Sequence, residues 1–207
     1  MANFHIAFDN DDLALGYYFE ASKNDIVSYI NINCEGSTIN EISSPRCNQA
    51  YIDLFIPQIN NNNFLFIVYS HGKPNCLTAN GNSFIDLDFN VHHFINSFFY
   101  SMSCHAGENL GFSLVDNKCH AFIGYNDIAW VLDGDYSNLC MDCDNYGIKK
   151  FISGSIISDA FEQMKNNFST QIDFLEQKGE IIYAAYLRKN RDSLVLIGNK
   201  DLEFNLF

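Results

Sequence analysis

Two nearly continuous apolar runs constrain this 207-residue chain more than any other feature. Phe64–Ser70 reads FLFIVYS, and Ser97–Ser103 reads SFFYSMS. Neither alternates polar with apolar residues, as a strand with one wet face does. Both are short for a buried helix and rich in aromatic and β-branched residues. They are the expected form of strands buried on both faces of a parallel sheet. Such a sheet needs a covering layer on each side, and parallel strands need crossover segments, mostly helices, between them.

The rest of the chain supplies those segments. Phe4–Phe8 reads as a strand, Asp11–Ser22 as a helix with acidic residues in its first turn, and Ile26–Ile32 as β-rich. Cys47–Ile59 has helical spacing, with Pro57 set to end it early. Leu77–Leu87 has the pattern of a hairpin turning at Asn80-Gly81. A helix over Asp88–Asn96, a helix over Glu108–Val115 and a strand over His120–Tyr125 follow. Asn126–Asn145 reads as an acidic loop. Helices over Tyr146–Asn166 and Gln171–Leu187 and a last strand over Ser193–Gly198 complete the order. The expectation is one α/β domain spanning residues 1–207, a three-layer sandwich. Its central sheet has about six mostly parallel strands, with helices on both faces.

Charge and composition exclude several classes. Hydrophobic residues make up 47% and charged residues 18%, which argues against disorder and against a coiled coil. No run of about 18 apolar residues suits a membrane span, and the N-terminus has no signal-peptide pattern. Twelve Lys and Arg against 25 Asp and Glu leave a net charge of −13, unsuited to nucleic acid or anionic lipid and suited to basic partners. Seven cysteines without an export signal point to reduced thiols in a cytoplasm. Cys34, Cys47, Cys76 and Cys119 read as small core residues.

In parallel sheets chemistry gathers at the carboxyl ends of the strands. After Phe64–Ser70 comes His71-Gly72. After Ser97–Ser103 comes Cys104-His105-Ala106-Gly107. A histidine and a cysteine thus share one edge of the sheet. Gly72 and Gly107 leave room for close backbone approach and offer N–H groups to a ligand. A helix starting near Gly107 places Cys104 by its positive end, which favours a thiolate.

FIVYS-His71-Gly72 followed by FFYSMS-Cys104-His105-Ala106-Gly107 resembles the core of the caspase-like cysteine peptidases, nearest to their CHAT, clostripain and metacaspase-like members. Gly111–Val115 with the following AFIGY, LVLIGNKDLEF at Leu194–Phe204 and FDNDDL at Phe8–Leu13 are similar to further stretches of that group. The resemblance implies a caspase-like fold and a cysteine endopeptidase. Cys104 would be the nucleophile and His71 the general acid, with the N–H groups of Gly72 and Cys104 holding the oxyanion. A dyad suffices in this group, and no cofactor is required. His105 is the rival for the histidine role.

Members that cut after Arg or Lys carry acids in the primary specificity pocket. One sits two residues before the nucleophile, where this chain has Met102. Another follows a tryptophan, and Trp130-Val131-Leu132-Asp133 is similar. Asp133 is therefore the first candidate, Asp135 the second, and Asp9 and Asp11 further ones. Between Lys118 and Lys149 there is no Lys or Arg, but there are Asp127, Asp133, Asp135, Asp142 and Asp144. The expected substrate is a protein or peptide cut after a basic residue. Control in trans is expected, by a partner protein, by Ca²⁺, or by cleavage within Asn126–Asn145, in a bacterial defence or cell-death setting. Cys140-Met141-Asp142-Cys143 is open to two readings, half of a zinc site with Cys119 or His120, or a redox-sensitive pair. Two rival classes remain: a catalytically silent interaction module, and a different cysteine hydrolase. The second rival usually places Cys before His, opposite to the order here.

Overall fold

The computed structural model describes residues 2–207. Six strands form the central sheet in the order β2-β1-β3-β7-β8-β9. They are β1 (Asn3–Phe8), β2 (Thr38–Ser43), β3 (Phe64–Tyr69), β7 (Ser97–Ser101), β8 (Ala121–Tyr125) and β9 (Leu194–Gly198). All neighbours are parallel except β8 and β9. A small antiparallel sheet of β4 (His71–Lys73), β5 (Cys76–Ala79) and β6 (Asn82–Asp86) lies beyond the end of β3.

Period-two alternation sorts the central strands into two cores. Phe4, Ile6, Leu65, Ile67, Phe98, Tyr100 and Ile123 point to one face. There they meet α1 (Gly16–Asn33), α4 (Ser137–Ile152), α5 (Ile157–Gln177) and α6 (Ile181–Ser193). Ala7, Phe66, Val68, Phe99 and Phe122 point to the other face, against α2 (Gln49–Ile59), α3 (Leu110–Asp116) and the small sheet. The α/β three-layer arrangement and the six-stranded, mostly parallel sheet agree with the sequence expectation.

Several local expectations are corrected. Ile26–Ile32 is helix, because Tyr18, Phe19, Ser22, Ile26 and Ile30 recur at helical spacing and are buried along α1, which begins at Gly16. The second strand is Thr38–Ser43, an edge strand in which only Ile42 is fully buried, so it carries no apolar run. Asp88–Asn96 holds only a single 3₁₀ turn, Val91–His93. The region 137–145 belongs to α4, which buries Cys140, Cys143, Asp144, Ile148 and Phe151 on one stripe. Two expected C-terminal helices are three, broken at Gly154 and Gly179, whose φ angles of 96° and 82° terminate a helix at low cost. Pro57 lies inside α2 without ending it. Among the described residues no helix is long and apolar enough to cross a membrane.

Candidate active site

The ends of β3 and β7 run side by side. The N–H of Met102 donates to the carbonyl of Val68 at 3.1 Å, and the hydroxyls of Ser70 and Ser103 lie 3.4 Å apart. His71 does not simply end β3. It opens β4, paired with Thr78 of β5, so the hairpin at Asn80-Gly81 holds it at the sheet edge. Gly72 packs directly on the next strand end. A Cβ there would collide with the carbonyl oxygen of Cys104 and stand 2.9 Å from the Cβ of Ser103. The backbones carrying His71 and Cys104 are therefore in contact.

Asp12, which the sequence reading passed over, is the third member of this cluster. Its Oδ2 lies 3.0 Å from His71 Nε2. Its Oδ1 accepts the N–H groups of Leu15 and Ala14 at 2.7 and 2.9 Å. Those loop N–H bonds, the one from Leu15 foremost, hold the Asp12 carboxyl below the usual range, so it faces His71 as an anion. The ring of Phe19 meets His71 edge-on, with centroids 5.5 Å apart. The only sequence signal was position: three acids follow β1 at the carboxyl edge, and pattern alone does not separate Asp12 from Asp9 and Asp11.

Cys104 is half-buried and bracketed by one residue of the loop after β8. The N–H of Ala129 donates to Cys104 Sγ at 3.3 Å, and the thiol donates to the carbonyl of Ala129 at 3.6 Å. Burial pushes the thiol up from its usual range, the N–H of Ala129 draws it partly back, and the carboxylates of Asp144 and Asp127 add to the rise. The expected thiolate is thus corrected. The helix that was to stabilise it begins at Leu110, not near Gly107. Gly107 also offers no N–H to a ligand, because it donates to the carbonyl of Tyr125 at 2.7 Å.

His105 is engaged by Glu108. It adopts a left-handed φ of 58°, and its Nδ1 lies 2.5 Å from Glu108 Oε1. Among the specificity candidates, Asp9 is fully buried. It accepts the hydroxyl of Ser44 at 2.7 Å and the N–H of Asn80 at 3.1 Å, so it braces the hairpin turn. Asp11 is exposed. Met102 is buried in the core shared with Tyr18, Tyr125 and Leu132. Asp133 and Asp135 line two separate surface cavities of about 770 and 600 Å³, and neither cavity is lined by His71 or Cys104.

Cys140 and Cys143 are buried on α4, in the opposite core layer from Cys119. Burial raises both thiols, Cys140 to about 12. A shared zinc site with Cys119 is not formed by this arrangement, and buried thiols of this kind are poor redox sensors.

A mostly parallel six-stranded sheet between two helical layers is the caspase-like fold. Among solved structures, the chain superposes on the Arg-specific cysteine proteinase gingipain R (RgpB) with a TM-score of 0.65 at 13% identity, covering 97% of this chain and 47% of that one. It also superposes on the complex of RgpB pro- and mature domains from Porphyromonas gingivalis, with a TM-score of 0.59 at 14% identity, covering 97% and 48%. The chain thus spans about half the length of these proteins, and the likeness is one of fold. No protein-family model matches the chain, and no curated protein matches it significantly.

Proposed function

We propose that the chain is a cysteine endopeptidase working through His71 and Cys104. The observation that carries this reading is the contact of the two strand ends at Gly72 and Cys104, with Asp12 holding His71 at 3.0 Å. The fold likeness to a cysteine proteinase supports it. The resting thiol needs a base, so His71 takes the proton of Cys104 as sulfur attacks the scissile carbonyl. The N–H groups of Gly72 and Cys104 hold the oxyanion. His71 then gives its proton to the leaving amine, and water, activated by His71, hydrolyses the thioester to free acid and enzyme. The chemistry balances without a cofactor.

Cleavage after a basic residue fits the net charge of −13 and the Arg specificity printed for gingipain R. Asp127 is the exposed carboxylate on the loop beside Cys104, and we assign it to the incoming cation in place of Asp133, Asp135, Asp9 and Asp11. The test is a fluorogenic peptide panel with Arg, Lys, Asp or Leu before the scissile bond. Activity on Arg or Lys peptides that disappears in Cys104→Ala and in His71→Ala is expected. Asp127→Asn is expected to lower kcat/KM for Arg peptides about 10- to 100-fold, since a charge-assisted bidentate pair is lost. Turnover that survives Cys104→Ala overturns the mechanism, and a preference for Asp or Leu overturns the specificity.

A further inference from the structure

The segment that brackets Cys104 has a second side. Ala129 is followed by Trp130, whose N–H donates to Asn190 Oδ1 at 2.8 Å and whose carbonyl accepts from Asn190 Nδ2 at 2.7 Å. The indole stacks on Tyr186, with centroids 4.5 Å apart and planes 4° from parallel. These two rings form one wall of the cavity of about 770 Å³ between the segment and the start of α6. Two carboxylates, Asp133 and Glu180, line it. Tyr183 donates to Asp133 at 2.8 Å, and Tyr136 donates to Glu180 at 3.3 Å. Ile181 and Ile182 form an apolar rim, 61% and 69% exposed. None of the lining residues is Lys or Arg, so no cation of the lining answers the carboxylates.

Stacked aromatic faces, two carboxylates and an aliphatic rim suit one kind of occupant. It is a segment of a partner protein that offers Lys or Arg beside aliphatic side chains. A separate cavity of about 600 Å³ has related chemistry, with Asp135, Asp142 and Phe174 in its lining. Its one cation, Lys149, pairs with Asp25 at 2.6 Å and with Asp142 at 3.7 Å, which leaves Asp135 as its carboxylate without a lysine. The location adds a consequence. Ala129 supplies both hydrogen bonds of the sulfur, and the one the thiol donates to its carbonyl must break before the proton can pass to His71. Whatever binds against Trp130 acts on the adjacent peptide unit.

We infer that the Trp130–Asp133–Glu180 cavity docks a basic, apolar segment of a partner protein, and that docking releases Ala129 from Cys104. The second half rests on Cys104 being the nucleophile of the proposed reaction. A ligand shifts such an equilibrium only by its differential affinity for the two loop positions, so binding and release must titrate together.

Trp130 is the single tryptophan of the chain, which makes its fluorescence a site-specific reporter. The experiment uses His71→Ala protein, which keeps the thiol and does not turn over the probe. The probe is the peptide Leu-Arg-Lys-Leu-Arg-Lys, with Leu-Glu-Glu-Leu-Glu-Glu as control. A saturable, salt-sensitive change in Trp130 fluorescence with the basic peptide alone is expected. Adding Asp133→Asn and Glu180→Gln, with folding checked by circular dichroism, should weaken it about tenfold or more. Iodoacetamide labelling of Cys104, followed by mass spectrometry, should accelerate severalfold at saturating peptide and not in the added double variant. Neither readout needs peptide hydrolysis, so a failure of the peptidase reading leaves the docking result legible. No saturable change, or one indifferent to the double variant, overturns the site. Saturable binding without faster labelling overturns the release. A fluorescence change on concentrating the protein alone assigns the face to a second copy and overturns the basic partner.

Discussion

Asp12 Oδ2 lies 3.0 Å from Nε2 of His71, although the two residues are 59 positions apart. The carboxylate is fixed by two N–H groups of its own loop, so it has no freedom to follow the ring. The pair therefore sets the ring's orientation and leaves Nδ1 for proton transfer. Asp12→Asn keeps a side chain of the same shape and removes the charge. A kcat about 10- to 100-fold lower with KM nearly unchanged is expected, the size of a general acid–base contribution. Melting temperature should move little, which separates positioning of His71 from support of the fold. A variant with wild-type kcat would remove Asp12 from the site.

Gly72 carries the contact between the two strand ends. Alanine there meets backbone, the Cys104 carbonyl, and not the end of a flexible side chain. The strands must part, so Gly72→Ala is expected to cost about 1–3 kcal/mol of stability. Turnover should fall about 100-fold or more, since small misplacements of reacting groups have effects of that order. Gly81→Ala is the matching change on the hairpin side of His71. Its added Cβ meets nothing within 4 Å, but its φ of +76° is strained for alanine. Because that turn also holds His71, a second control, Gly154→Ala, strains a turn between α4 and α5 with nothing within 4 Å of the added Cβ and a φ of +96°, and it should lose stability and keep turnover. Equal activity in Gly72→Ala and Gly154→Ala would separate the strand-end contact from catalysis.

The resting state of Cys104 is accessible to chemistry. A thiol raised by burial, with Asp144 and Asp127 adding to the shift, reacts slowly at neutral pH. The rate of iodoacetamide labelling at Cys104 should climb steadily from pH 6 to pH 9, site by site in mass spectra. A rate flat across that range would mean a preformed thiolate, with the N–H of Ala129 outweighing burial of the sulfur.

The layers and the two adjacent strand ends that carry His71 and Cys104 were legible in the sequence because burial on both faces leaves apolar runs that nothing else explains. The edge strand Thr38–Ser43 was not, since one fully buried residue in six leaves no pattern. Asp142 and Asp144 gave residues 137–145 the look of a loop. Asp144 is in fact buried on α4, its charge answered by the hydroxyls of Tyr18 and Tyr125, partners 126 and 19 residues away. Asp12 was hidden in another way. Which of three nearby acids faces a histidine depends on a loop's hydrogen bonds, and composition does not encode them. The acidic cluster was visible, but its members disperse to a core, two surface cavities and the Cys104 loop.

Two buried groups give stability opposite dependences on pH. His5 is 2% exposed, its ring lies between those of Phe55 and Phe64, and its Nε2 has no partner. Burial lowers it to about 4. Between roughly pH 6.5, the unfolded value, and pH 4 the unfolded chain holds a proton there that the folded chain does not. Stability therefore falls through that window as pH falls. Asp144 behaves the other way. Burial raises it to about 6, so between pH 6 and roughly 3.8 the folded chain takes the proton first and stability rises as pH falls. Each shift spans about two pH units or slightly more, on the order of 3 kcal/mol, and the two offset each other near pH 5. Asp144→Asn removes one side of the balance and keeps groups that can bond Tyr18 and Tyr125. In urea titrations at pH 7 and pH 4.5, the wild type should gain on this variant by about 2 kcal/mol as pH falls. A stability difference between the two proteins that is the same at both pH values would show that Asp144 is ionised throughout, and that its tyrosine bonds outweigh its burial.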